Sequence, residues 1–255
     1  MSSTTWTPDA LSSSADSLKG DCWRFVEAQH RVSTLKLVDD LAEQALLEDL
    51  IEAAKPPVPE DCQHLHYLLA TPFRYGAPYP FGSRFRRAGF TDGIYYASER
   101  IETAAAELAF HRLLFFAESP DTPWPANPGE YTAFAVGYAT THGLDLTRPP
   151  LDRDKSLWEQ HDSYEACQSL AETARAADVA VLRYRSVRDP GTGANLALLT
   201  CGAFTDRQPK EPQTWRIYLR ASGIQALCDF PRQALAFDRE AFALDPRIAK
   251  MVWER

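Results

Sequence analysis

From Arg74 to Glu107 the chain runs through FRYG, GSRFRRAG, IYYAS and ETAAAE, and the order of these segments narrows its folding options sharply. Gly82 to Gly93 reads as loop, with glycines where backbone must turn or let a ligand come close. Ile94–Ala97 reads as a short strand. Ser98 is an N-cap candidate for the helix that follows, in which Ile101, Ala104, Ala105, Leu108 and Phe110 recur at inward-facing spacing. A loop, a strand and a helix joined this closely bring Arg84, Arg86 and Arg87, the tyrosines 95 and 96, and Glu107 into one neighbourhood.

Other parts of the chain read less sharply. Residues 1–20 are rich in Ser and Thr and are expected to be loosely ordered. From Trp23 to Ala54 leucines recur at helical spacing (Leu35, Leu37, Leu41, Leu46 and Leu50) with acids on the other face, which predicts helix. The run Lys55-Pro56-Pro57-Val58-Pro59 stops it, since proline cannot continue a helix. Residues 1–60 thus read as a helical appendage on a stiff linker, and 61–255 as the main domain. Within that domain HLHYLLATPF, YTAFAVGYA, Val179–Tyr184, Asn195–Thr200 and TWRIYLR read as strands, and Tyr164–Ala177 as helix. Strands and helices mix without a βαβ rhythm, so the expected class is α+β.

The net charge of -8 excludes a broad phosphate-backbone surface and direct nucleic-acid binding. In an acidic chain the cluster Arg84, Arg86 and Arg87 is an island suited to one small anion. Five cysteines without a CxxC pair argue against a disulfide framework and a structural zinc site, and fit a reducing cytoplasm. The start of the chain has neither the basic nor the apolar segment of a signal peptide, and no apolar run is long enough to span a membrane. His64 and His66 have a ligand-like spacing, but no acid or cysteine cluster accompanies them, so no metal is expected.

Residue types point to a chemistry. Arginines hold diphosphates through bidentate, charge-assisted hydrogen bonds. A tyrosine can stack on a flat heterocycle. A single carboxylate can steady a sugar cation as a glycosidic bond breaks. Arg84 is the first candidate for the diphosphate, Arg86 its rival two residues on. Arg74 with Tyr75 ends the preceding strand, where a buried arginine needs a partner: a ligand or a structural acid. Tyr95 and Tyr96 point to opposite faces of a strand, so one is core and the other can face a site. Ser186 follows the strand VAVLRYRS without a Gly-x-Ser-x-Gly elbow or an evident His–Asp pair, so it reads as a hydrogen-bonding group, not a nucleophile. Asn195 is a supporting polar group or a turn residue entering a strand.

GSRFRRAG, IYYAS and ETAAAE, followed by Tyr184-Arg185-Ser186-Val187-Arg188-Asp189, resemble the RES domain, a family named for its Arg, Glu and Ser. The resemblance covers roughly residues 65–205. It implies an ADP-ribosyltransferase-like mixed β core flanked by helices, and a bacterial toxin that degrades NAD. It points to Glu107, Tyr96, Arg84 and Ser186 for catalysis and to Arg74 for substrate binding, and the residues themselves add Tyr75, Arg86 and Asn195 as candidate substrate-binding groups. Arg86 stands where the family usually has Asn.

On this reading NAD is the substrate and there is no prosthetic group. The acceptor is left open between water (a glycohydrolase) and inorganic phosphate (an NAD phosphorylase). Phosphate is favoured because Arg86, Arg87, Arg185 and Arg188 could seat a second anion. The alternatives are a protein ADP-ribosyltransferase and a non-catalytic nucleotide-binding protein. The implied partner is an Xre-like helix-turn-helix antitoxin, and a homo-oligomer is compatible with the sequence.

Overall fold

The computed structural model describes residues 6–28, 37–76, 78 and 80–254. Its centre is an eight-stranded sheet: β1 (Asp16–Glu27), β2 (Tyr95–Ser98), β3 (Gly129–Asp145), β4 (Val181–Arg185), β5 (Ala194–Leu198), β6 (Lys210–Arg220), β7 (Gly223–Cys228) and β8 (Gln233–Asp238). The order is β1-β2-β5-β4-β3-β6-β7-β8, and β1 also pairs with β3. Five strands therefore form a closed circuit, and β6 to β8 extend it as an antiparallel meander. Among the described residues only β3 and β4 run parallel.

Alternation along β3 and its neighbours gives the circuit a filled interior. Cys22, Tyr95, Phe134, Val136, Leu196 and Leu198 are buried together there. The other face of the meander receives the helix that matters most, α4 (Ile101–Glu118). It follows α1 (Pro8–Ser13), α2 (Leu41–Ala53) and α3 (Tyr67–Arg74), and precedes α5 (Glu165–Ala176) and α6 (Pro246–Ala249). Alanine is the strongest helix former, and Ala104, Ala105, Ala106 and Ala109 also let the helix lie close against its surroundings. Phe110 and Leu113 are fully buried against Trp215, Ile217 and Ile224, at roughly 1.5–3 kcal/mol each. No helix among the described residues is long and apolar enough to cross a membrane.

The strand-rich α+β class agrees with the sequence expectation. Several local expectations do not survive. The helix predicted from Trp23 begins as strand: β1 pairs with β3 from Asp16 to Glu27, so the N-terminal segment is woven into the sheet instead of appended to it. Residues 7–20, expected to be loose, hold α1 and the first part of β1. Among the described residues of the predicted helix α2 is the part that forms, and Leu41, Leu46 and Leu50 on it are exposed. Leu35 lies outside the described residues. HLHYLLATPF is mostly helix, capped by the His66 side chain, which accepts from Leu68 N. The cap position of α4 falls on Arg100; Ser98 remains in β2 and bonds elsewhere. Cys62 and Cys201 are joined as a disulfide across 139 residues, against the expectation that the cysteines stay unpaired.

Candidate active site

A cavity of about 740 Å³ opens between α4, the edge of β2, β1 and the 80–84 loop. That volume suits a small-molecule ligand. Glu107 sits in its wall because α4 packs with Ala106 and Phe110 inward, and position 107 is rotated toward the opening.

Its carboxylate is held from two sides. Ser186 Oγ donates to Oε1 at 2.6 Å, and Asn195 Nδ2 donates to the same oxygen at 2.6 Å. Asn195 is oriented in turn by Ser98, whose hydroxyl donates to Asn195 Oδ1 at 2.6 Å. The Ser186 oxygen accepts the backbone N–H groups of Arg188 (3.2 Å) and Asp189 (3.0 Å). A serine hydroxyl has one proton and two acceptor positions. All three are occupied, so the proton is committed to Glu107. Ser186 therefore positions the carboxylate. In this arrangement its hydrogen-bonding capacity is taken up within the protein. Neither bond uses Oε2 of Glu107.

The 186–193 turn that delivers Ser186 is organised by Asp189. It accepts from Thr103 Oγ1 (2.7 Å), Gly191 N (2.7 Å) and Gly193 N (2.9 Å), and pairs with Arg100 at 3.1 Å. Gly193 has to be glycine, because a Cβ there would run into Thr103 Oγ1 of α4. The turn is thereby pinned to the helix that carries Glu107. Burial alone would raise the Asp189 pKa, but the hydrogen bonds of Thr103, Gly191 and Gly193 outweigh it and hold the carboxyl below its ordinary range.

Tyr96 lines the cavity, and Tyr95 is fully buried in the circuit's interior. The strand thus divides its two tyrosines as the alternation predicts. The Tyr96 hydroxyl lies 2.9 Å from Ser83 Oγ and accepts from Phe85 N at 3.0 Å, which fixes the 83–85 loop over the site. Arg84 is set in that loop. It donates to Trp158 O at 2.8 Å, its guanidinium lies 4.8 Å above the Tyr164 ring, and it lines the cavity.

The other arginines separate cleanly. Arg86 is buried and structural, donating to Thr91 Oγ1 (3.0 Å), Thr91 O (2.8 Å) and the Tyr75 carbonyl. Arg86 and Tyr75 are not brought to the cavity, and neither is Arg74, which ion-pairs with Glu52 of α2 at 2.6 Å and bonds the Pro56 carbonyl. Arg74 has thus found the structural acid that the sequence left open beside a ligand. Arg87 pairs with Glu172 at 2.5 Å, and Arg185 is exposed. Of the four arginines expected to seat a second anion, Arg188 alone reaches the cavity.

Further groups line the cavity beside those assigned from the sequence. Arg188, only 4% exposed, donates to His161 O (2.5 Å) and Tyr164 Oη (3.0 Å), and lies 3.9 Å over the Phe110 ring. It shares Asp245 with Arg247: the Asp245 carboxylate is 3.5 Å from Arg188 and 2.7 Å from Arg247. Arg247 also lines the cavity, so α6, near the chain's end, closes one side of the site. His111, one turn after Glu107, opens to the cavity. Although it keeps an exposed edge, loss of solvent in the cavity wall lowers its pKa; the Glu107 charge opposes this, and Arg188, Arg247 and Arg84 add to it. His111 is therefore neutral at pH 7.

One group of potential metal ligands occurs among the described residues, Asp61 with Cys62 and Cys201. Its sulfurs are bonded to each other, and it lies apart from the cavity.

A family model of the RES domain matches residues 58–220, well over half the chain. A chain in the crystal structure of the M. tuberculosis MbcT–MbcA toxin–antitoxin complex superposes with a TM-score of 0.44 at 13% identity, over 95% of each chain. No curated protein matches in sequence.

Proposed function

The chain belongs to the RES domain family, and on that premise we propose that it cleaves the nicotinamide–ribose bond of NAD. The observation that carries this reading is the carboxylate of Glu107, oriented by Ser186 and Asn195 at the wall of a ligand-sized cavity. A preorganised anion beside a sugar stabilises the positive charge that grows as nicotinamide leaves, and costs no rearrangement when it does. Arg84 supplies the charge for the diphosphate. Tyr96 supplies a flat wall for the nicotinamide and holds the loop that carries Arg84.

The acceptor in this reading is inorganic phosphate, seated by Arg188 and Arg247, whose two charges face one carboxylate, Asp245. The α+β core is taken as ADP-ribosyltransferase-like. The protein acts as a cytoplasmic toxin restrained by an Xre-like antitoxin that covers the cavity. The deciding assay is nicotinamide release by the purified chain with and without phosphate. Release that needs phosphate, with a phosphorylated ADP-ribose product, is expected. Equal release with free ADP-ribose as product rejects the phosphorylase in favour of a glycohydrolase. No release with labelled protein bands from lysate favours a protein ADP-ribosyltransferase. For the toxin role, soluble expression is expected to arrest growth, with rescue by the co-expressed antitoxin.

A further inference from the structure

The meander ends on an open edge. β8 pairs with β7 from Gln233 to Asp238 in unbroken register, and the strand order of the sheet stops there. In an antiparallel pair alternate N–H and C=O groups turn away from the neighbouring strand. Those of β8 have no backbone partner among the described residues. Proteins shield such edges with lysine, proline, a bulge or a covering segment, because an open edge is a template for another strand. The run Gln-Ala-Leu-Ala-Phe-Asp holds no lysine, no proline and no bulge.

The strand is also held in place for pairing. Leu235 and Phe237 point inward and pack on the core that α4 shares. The edge therefore needs little ordering when a partner arrives. Its solvent face carries Arg232, at the end of the β7–β8 turn, then Ala234, Ala236 and Asp238, all exposed. Arg232 and Asp238 make no side-chain hydrogen bond or ion pair among the described residues, whereas the charges around them are matched within the chain, Arg216 with Asp229 and Arg239 with Glu240.

We propose that β8 is an interaction surface for a second copy of this chain, which joins it antiparallel across a two-fold axis at Leu235. Opposite residues of an antiparallel pair share a face of the sheet and touch through their side chains. Centred on Leu235, the pairing sets Ala234 against the partner's Ala236, Gln233 against the partner's Phe237 and Arg232 against the partner's Asp238. The symmetry makes each contact twice. Small side chains meet in the middle of the exposed face, and opposite charges meet at both ends. A shift of two residues in either direction keeps the faces matched but parts Arg232 from Asp238, so the charges select this register. The net charge of -8 opposes self-association in general, but the charges along this edge cancel. Phe230 in the β7–β8 turn, 87% exposed, is carried toward the segment beyond the partner's Asp238, where pairing removes part of its ring from water. None of residues 229–238 lines the cavity, so both cavities stay open in the pair and the surface is independent of the chemistry at Glu107.

The experiment is sedimentation of the full chain over a range of concentrations. Six residues per copy make a small interface, so a dissociation constant of roughly 1–100 μM is expected. Arg232→Glu places like charges opposite each other at both ends and should raise that constant by about tenfold or more, and Asp238→Arg should do the same. The double variant Arg232→Glu/Asp238→Arg restores opposite charges and should return the constant close to its original value. Both side chains are exposed, so the variants keep the fold. Hydrogen exchange supplies a second readout: protection of the 233–238 amides should grow with concentration in the natural chain and the double variant, and not in either single variant. A chain that stays monomeric across the range overturns the proposal. So does a dimer indifferent to both single variants, or one that the double variant fails to rescue. Protection of β8 that appears only on adding the antitoxin assigns the edge to that partner and likewise overturns it.

Discussion

Ser186 and Glu107 are separated by 79 positions in sequence and by 2.6 Å in space, with the hydroxyl donating to the carboxylate. Two backbone N–H groups fill the remaining lone pairs of the serine. A hydroxyl so committed cannot also be deprotonated by a base and attack a substrate. A serine-directed phosphonylating reagent is accordingly expected to leave Ser186 unmodified by intact-protein mass. Ser186→Ala should lower kcat by roughly 10–10², through a less ordered Glu107, without abolishing turnover. Stoichiometric labelling of Ser186 would reverse its assigned role.

Glu107→Gln keeps the size of the side chain and removes its charge. Turnover of NAD is expected to fall by ~10²–10³, the scale for losing one preorganised electrostatic group, with little change in KM. Normal turnover in this variant removes Glu107 from the mechanism and turns attention to Glu99 or Glu102 nearby in sequence.

Arg84 and Arg86 should part company on substitution. Arg84→Ala is expected to weaken substrate binding by ~1.5–3 kcal/mol, seen as a raised KM. Arg86→Ala should instead lower the denaturation midpoint, because it strands the buried carbonyls of Thr91 and Tyr75, at ~1–3 kcal/mol. A stability loss from Arg84→Ala with unchanged KM contradicts the assignment.

Asp189 and Asp245 set the acid limit of the fold. In Asp245, too, burial would raise the pKa, but the hydrogen bonds and charge of Arg247, with Arg188, leave it below the ordinary value. Both folded values lie below the unfolded value of about 4, so both groups add stability above pH 4 and lose it as pH falls through the lowered values. The urea midpoint should therefore stay level from about pH 7 to 5 as far as these groups are concerned, then drop below about pH 4. Asp189→Asn should start lower and drop less. An unchanged acid slope in that variant excludes Asp189 from the effect.

His111 gives a separate signature. Its folded pKa is lowered, so it is neutral above its ordinary value of about 6.5. Its ionisation should leave kcat/KM flat between pH 6.5 and 8. A decline centred in that interval and removed by His111→Asn contradicts a neutral imidazole.

The stretch from loop to strand to helix was legible because its signals are local. Alternation along IYYAS separated Tyr95 from Tyr96, and the alanines around Glu107 marked a helix packed close. The family resemblance pointed to Glu107 and Ser186, and Asn195 read as a supporting polar group or a turn residue; the structure joins all three at one carboxylate oxygen.

Elsewhere the chain alone was silent or misleading, for one physical reason. Leucine spacing from Leu41 onward is a true helical period, yet it could not tell whether that face is buried, and on α2 Leu41, Leu46 and Leu50 are left exposed. Trp23 and Phe25 became strand residues because β3 offers a pairing edge more than a hundred positions away, and long-range pairing overrides local propensity. Arg84 and Arg86 are alike in sequence, and only the position of Thr91 against one and of the cavity against the other divides them. Arg247 and His111 carry no motif at all, and Arg188 was one of four arginines the sequence could not separate; three separate segments deliver them to one cavity. Sequence determined which residue types the site would use and the order in which the chain presents them. Tertiary structure decided which of several equivalent side chains are spent on holding the fold and which are left facing the groove, because that depends on partners brought near only by folding.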